Sequence, residues 1–66
     1  MTDNERWYDE QARAFAASLP ENGMAYADAS ALLASKVPSM RRPNVVRYAS
    51  AHGLIRIENA RVYPNA

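Results

Sequence analysis

The 66-residue chain has no cysteine, one histidine and only two glycines. Without cysteine no disulfide can stabilise a small core, and a single histidine cannot supply the ligand set of a zinc site. Gly23 and Gly53 are isolated from each other, so neither a phosphate-binding loop nor a dinucleotide-binding motif can be built. The sequence therefore predicts no metal and no cofactor, and it argues against nucleotide-dependent enzymes.

A catalytic nucleophile is also missing. Nucleophilic catalysis needs a serine or cysteine beside a base, but His52 falls at a predicted helix end, where it is typical of a cap. Asp9 and Glu10 could supply paired carboxylates, although on the polar side of a helix they are far more often solubilising charges. We predict that the protein is not an enzyme and has no small-molecule substrate.

Long apolar runs are absent too. No window approaches the roughly 18 continuous apolar residues that cross a bilayer. The first five residues, 1–5, are acidic where a secretory signal would be basic. These features predict a soluble, cytoplasmic protein with no membrane partner.

The length allows one domain, predicted to span residues 1–66, with one small core. Hydrophobic residues make up 48% of the chain, but 13 of them are alanines, which leaves few large apolar side chains to exclude water. We therefore expect marginal stability and take a homodimer as a reasonable hypothesis.

Charge divides the chain into halves of opposite sign, although the total is only +1. Residues 1–35 carry six acids and two bases, a net charge of −4, while residues 36–66 carry six bases and one acid, a net charge of +5. Such asymmetry within a small domain predicts that the C-terminal half faces an anion, for which DNA phosphate is the commonest large candidate. A solvated basic surface is the alternative on charge alone.

The first third of the chain predicts a long amphipathic helix. Residues 2–5 resemble a capping box, so the helix should begin there and run to about Leu19. Helical spacing places Trp7 and Phe15 on its apolar side as core anchors. Pro20 and the pair Asn22-Gly23 then stop the helix and turn the chain.

A short strand and a second helix are predicted next. The segment 24–26, between two helices, could form one short strand that pairs with a later hairpin. Asp28 is a good N-cap for a helix through Lys36, with Leu32 and Leu33 pointing inward. Val37-Pro38 must end this helix, because a residue before proline avoids helical angles.

The C-terminal half predicts a third helix over residues 43–52, with Gly53 as its left-handed stop. From Leu54 the apolar period changes to two, which predicts a strand, and Asn59-Ala60 turns the chain into a second strand at residues 61–63. Glu58 and Arg61 should face each other across this turn. Since Ala60 disfavours a positive φ, a loop longer than two residues is the alternative.

Helix, short strand, helix, basic helix and hairpin is the order of a winged helix-turn-helix, so the predicted fold class is α+β, mostly α. The segments Val46-Arg47-Tyr48 and Gly53-Leu54-Ile55 resemble the recognition-helix end of MerR-type regulators, and small phage excisionases use a similar unit. The resemblance covers about residues 27–63. It implies that Val46, Ala49 and Leu54 are core residues, while Arg47 and Tyr48 meet DNA.

The sequence departs from the MerR pattern in two ways. The turn before the third helix is longer, with Met40, Arg41 and Arg42 inserted, and neither a dimerising coiled coil nor an effector domain follows the hairpin. These departures favour a minimal DNA-binding protein, either a transcriptional regulator or an excisionase-like recombination accessory, of the kind that phages and mobile elements encode.

We therefore predict that the third helix enters the major groove of double-stranded DNA and that the hairpin contacts the flanking backbone or the minor groove. Tyr48 would donate a hydrogen bond to a phosphate, and the first helix with its acids would lie on the distal side. The predicted DNA contacts are Arg41, Arg42, Asn44, Arg47, Tyr48, Arg56 and Arg61.

The alternative function is a winged-helix protein that binds a protein partner, as an inhibitor or assembly factor, without reading DNA. Tyr48, Met40 and Arg47 are also typical anchors of protein interfaces, and an acidic partner would satisfy the same basic half. The fold cannot separate these two functions.

Overall fold

The computed structural model describes residues 2–65 and contains within them three helices and a three-stranded antiparallel sheet. Met1 and Ala66, the ends of the predicted domain, lie outside the described residues. The α+β class with more helix than strand is confirmed. No helix in the described part is long and apolar enough to cross a membrane. The elements in chain order are α1 Asp3–Ser18, β1 Met24–Ala25, α2 Tyr26–Ala34, α3 Arg42–Ala51, β2 Ile55–Glu58 and β3 Arg61–Pro64.

Helix α1 begins at the predicted cap. The Glu5 amide donates to Thr2 Oγ1 at 3.1 Å, and the Glu5 carboxylate reaches back to accept from the Thr2 hydroxyl at 3.3 Å. The helix ends at Ser18, one residue before the predicted end, and Leu19 is extended. Phe15 is buried as predicted, whereas Trp7 is half-buried and packs against the edge of the core.

Helix α2 begins earlier than predicted, because β1 runs directly into it. Its cap position is Ala25, which provides no side-chain hydrogen bond, so the prediction that Asp28 is the N-cap is wrong. Asp28 instead lies in the first turn, where its carboxylate still favours the positive end of the helix dipole. Leu33 is buried, but Leu32 is 38% exposed and does not point inward as predicted.

Helix α3 spans nearly the predicted residues and buries one side, formed by Val45, Val46 and Ala49. Gly53 has the expected positive φ of 70° and stops the helix. Leu54, which the family resemblance placed in the core, is only partly buried and packs against it.

Strand β3 is the centre of the sheet, with β1 on one side and β2 on the other. Val62 pairs with Met24 of β1 and with Ile57 of β2, so the predicted pairing of the short strand with the hairpin is confirmed. Ile55 and Val62 lie on the same face of the sheet, and this face packs against the helices. The buried apolar residues are Ala12, Phe15, Leu19, Ala29, Leu33, Val37, Val45, Val46, Ala49, Ile55 and Val62.

The hairpin turn contains two residues, so the alternative of a longer loop is wrong. Asn59 and Ala60 both have positive φ, 51° and 60°, as a turn that matches the strand twist requires. Glu58 and Arg61 are paired across the turn as predicted. Their charged groups bind other partners. Glu58 pairs with Arg56 at 3.4 Å, and Arg61 donates to the Gly23 carbonyl at 3.1 Å.

Candidate nucleic-acid interface

The exposed side of α3 presents Asn44 and Arg47. Both side chains lie opposite the buried side of the helix, and Arg47 Nη1 donates to Asn44 Oδ1 at 3.2 Å. A guanidinium has five N–H donors, so this single bond leaves most of them available to a ligand. The two residues form an exposed polar pair on a helix that the core holds in place.

Tyr48 is oriented differently from the prediction. It is half-buried against α1, and its hydroxyl donates to Asp9 Oδ1 at 3.0 Å. Its ring stacks on His52 with centroids 4.0 Å apart and lies parallel to Tyr8 at 6.5 Å. In this conformation the hydroxyl proton is engaged with a carboxylate that would repel a phosphate, and a contact between Tyr48 and DNA stays a prediction.

The Asp9 carboxylate connects α1 to α3. Arg13 Nε donates to its second oxygen at 2.9 Å. The hydrogen bonds from Arg13 and then Tyr48 lower the pKa of Asp9 below its ordinary value of 3.8. Partial burial, followed by the bond to Asp9, raises the pKa of Tyr48. Asp9 thus lies beside α3, and the prediction that the acids of the first helix are all distal is wrong for this residue.

Two of the predicted arginines, Arg41 just before α3 and Arg42 at its first residue, have different contacts. The Arg41 guanidinium lies over the Trp7 ring at 5.0 Å and over the Tyr8 ring at 6.0 Å. Arg42 is half-buried; its Nε donates to the Val37 carbonyl at 2.8 Å and its Nη2 to the Ala34 carbonyl at 3.3 Å. Arg42 therefore satisfies the last carbonyl of α2 and one carbonyl in the loop that follows, and its role as a DNA contact stays a prediction.

The hairpin arginines lie on the outer face of the sheet. Arg56 is opposite Tyr63, with its guanidinium 4.5 Å from the ring centroid. Arg61 donates from Nη2 to the carbonyls of Gly23 and, at 3.5 Å, Asn22. Neither hairpin arginine shares a hydrogen bond or ion pair with Arg47 in residues 2–65. Both hairpin arginines are exposed.

A shallow concave surface of about 480 Å³ lies where α1 and α3 meet. The sequence pattern does not assign Asn4 or Tyr8 to this site. Helical spacing puts Tyr8 on the same side of α1 as Trp7, which indicates packing, and nothing in the local pattern marks Asn4. The described residues hold no cluster of three or more metal-ligating side chains. The surface is lined by Asn4, Tyr8, Asn44, Arg47, Tyr48, Ala51 and His52.

Comparison of the chain with protein-family models, with curated proteins and with solved structures found no match. Of the predicted DNA contacts, Asn44 and Arg47 are exposed on α3, and Arg41, Arg56 and Arg61 are exposed while making local contacts. Arg42 and Tyr48 are the two that are half-buried.

Proposed function

We propose that the protein is a small double-stranded DNA-binding protein of winged helix-turn-helix architecture, acting as a transcriptional regulator or an excisionase-like recombination accessory. The order of helices and strands and the sheet order β1-β3-β2 support this architecture, with the hairpin as the wing. The observation that carries the proposal is the exposed Asn44–Arg47 pair on α3, whose opposite side is buried.

In this proposal α3 lies in the major groove. Arg47 can donate two parallel hydrogen bonds to guanine O6 and N7, and Asn44 can pair with adenine N6 and N7. The hydrogen bond between Arg47 and Asn44 keeps the two side chains together, so they would contact adjacent base pairs. Tyr48 acts as a positioning residue, because its bond to Asp9 fixes α3 against α1.

The remaining exposed arginines supply phosphate contacts. The guanidinium groups of Arg41 and Arg56 lie over aromatic rings, a contact that does not consume their N–H donors. Arg56 Nε also pairs with Glu58 at 3.4 Å, and its other donors remain for a phosphate. Arg61 uses Nη2 for its carbonyl bonds and keeps other donors. These three phosphate contacts predict that log K falls against log salt with a slope of about −3.

A fluorescence-polarisation titration with random-sequence duplex DNA tests the proposal. Arg47→Ala should weaken binding about tenfold or more, as expected for loss of a bidentate or charged contact, and Arg61→Ala should weaken it less and reduce the salt slope by about one. Arg6→Ala is the matched control, because it removes one exposed positive charge from α1. Equal losses for Arg6→Ala and Arg47→Ala would contradict the assignment of α3 to the groove.

The second candidate function is binding to a protein partner. It is favoured by Met40, which is 88% exposed beside Arg41 and at the start of α3. Asp9 at the edge of α3 would also be tolerated better by a protein surface than by a phosphate backbone. Failure of the wild-type protein to bind duplex DNA at low salt would replace the first proposal with this one.

A further inference from the structure

Strand β2 forms an open edge of the sheet. It pairs with β3 on one side, and no strand within residues 2–65 pairs with its other side. An open edge presents unpaired N–H and C=O groups that can accept another strand. The chemistry of this edge is therefore decided by which backbone groups point outward and which side chains flank them.

The hairpin register identifies the outward groups. In a hairpin with a two-residue turn, the residues that flank the turn exchange backbone hydrogen bonds, so Glu58 bonds to Arg61. Hydrogen-bonded pairs alternate along an antiparallel ladder, so the next such pair away from the turn is Arg56 with Tyr63. Ile57 lies between these pairs and opposite Val62, so its N–H and C=O point away from β3. Ile57 is thus the centre of the open edge.

The side chains along this edge are self-complementary. Ile57 lies on the same face as buried Ile55 but is 40% exposed, at the margin of the core. Arg56 and Glu58 flank it on the opposite face, with side chains 51% and 60% exposed. The edge therefore presents one apolar side chain between a positive and a negative one.

We propose that a second copy of this chain pairs with β2 in antiparallel orientation, with the two-fold axis at Ile57. Ile57 then faces Ile57 of the second copy, and the two residues exchange both backbone hydrogen bonds. Arg56 faces Glu58 of the second copy, and the reverse pair forms across the axis. The result is a continuous six-stranded sheet built from two three-stranded ones.

Neighbouring registers are disfavoured. With the axis at Arg56 or at Glu58, two side chains of like charge would face each other. The N–H and C=O groups of these two residues also point toward β3 and are already bonded to it, so they could not pair with a second copy. With the axis between two residues, each residue would pair with one whose side chain points to the other face of the sheet. The register centred on Ile57 is the one that pairs opposite charges, matches the faces and uses the outward backbone groups.

The interface is small, because β2 contains four residues and Asn59 leaves the strand conformation at φ 51°. A short edge pairing of this kind gives a weak, reversible dimer. The inference does not rest on DNA binding, since it uses only the geometry of the hairpin.

Sedimentation equilibrium between about 10 µM and about 1 mM tests the dimer. The weight-average mass of the wild type should rise toward twice the monomer mass. Arg56→Glu and Glu58→Arg should each remain monomeric, because each opposes like charges, and an equimolar mixture of the two should dimerise again. A monomeric wild type at 1 mM, dimers of either variant alone, or a mixture that stays monomeric would each overturn the proposal.

Amide hydrogen exchange on the wild-type chain gives a second readout that does not depend on the variants folding. The Arg56 amide bonds to β3 and should be protected at every concentration. The Ile57 amide points outward and should become protected only as the concentration rises. Protection of the Ile57 amide that does not change with concentration would contradict pairing with a second copy.

Discussion

The Tyr48 hydroxyl donates a 3.0 Å hydrogen bond to the carboxylate of Asp9, which lies 39 residues earlier in the sequence. Arg13 binds the other oxygen of the same carboxylate at 2.9 Å. One acidic side chain thus receives a donor from its own helix and a donor from α3. This arrangement links α1 to α3 through side chains, while the buried residues of α3 determine which side of that helix is exposed.

The Asp9 contacts predict how stability changes with pH. The pKa of Asp9 is lower in the folded protein than the ordinary value of 3.8, so its carboxylate stabilises the fold above that value. This contribution is lost as the pH falls through the lower folded pKa. Thermal melts from about pH 7 to about pH 2 should show wild-type stability falling below about pH 4.

Asp9→Asn isolates this effect. The variant should melt at a lower temperature than the wild type at neutral pH, and the difference should shrink in acid, where the wild-type carboxyl is protonated. Glu10→Gln is the control, because Glu10 is an exposed neighbouring acid on α1. Identical pH profiles for Asp9→Asn and the wild type would show that the carboxylate does not stabilise the fold.

Replacing Ala60 by glycine should stabilise the protein. Ala60 has a φ of 60°, a left-handed conformation that costs an L-residue about 1 kcal/mol relative to glycine. Ala60→Gly should therefore raise the free energy of unfolding by about that amount in urea denaturation. Ala51→Gly in α3 is the matched control and should lower it by roughly 0.5–1 kcal/mol, since glycine disfavours helix. A lower stability for Ala60→Gly would contradict the turn geometry.

The two glycines should respond differently to alanine. A Cβ at Gly23 would lie 2.6 Å from Tyr63 Cδ1 and 2.9 Å from the Val62 carbonyl oxygen, in addition to the strain of φ +77°. We expect Gly23→Ala to cost at least about 2 kcal/mol, combining overpacking with left-handed strain. Gly53→Ala carries φ +70° but meets nothing within 4 Å, so it should cost only about 1 kcal/mol. Equal losses in urea denaturation would show that both the Tyr63 ring and the Val62 carbonyl move aside.

Ile55 and Ile57 allow a comparison of core and edge on one face of one strand. Ile55 is buried, so Ile55→Val should reduce the free energy of unfolding by about 1 kcal/mol. Ile57 is at the margin, and Ile57→Val should change it by less than about 0.5 kcal/mol at low micromolar concentration. A larger loss at Ile57 would place the core boundary farther along the hairpin than the structure does.

The elements of the fold were largely readable from local signals. The Thr2 cap, the Phe15 spacing, Gly53 and the change of period after Leu54 each depend on a few neighbouring residues, and the structure bears them out. The N-cap prediction for Asp28 was wrong because an aspartate is favourable both at the N-cap and within the first turn of a helix. The start of α2 is set by β1, which runs directly into the helix.

The candidate site was less readable, because its side chains are oriented by partners far away in the sequence. Arg47 could be placed on the exposed side of α3 from the spacing of the buried valines. Tyr48 lies at the margin of that side, and its direction depends on Asp9 in another helix. Arg42 could not be told from its neighbour Arg41 without knowing where the carbonyls at the end of α2 lie.

The central position of β3 determines how the hairpin can move. Val62 is buried and pairs with strands on both sides, and Arg61 is tied to the chain before β1. The hairpin is therefore anchored to the body and cannot swing as an independent arm about a hinge at Gly53. A partner that reaches Arg56 or Arg61 meets a surface already fixed in shape, so little conformational entropy is lost when it binds.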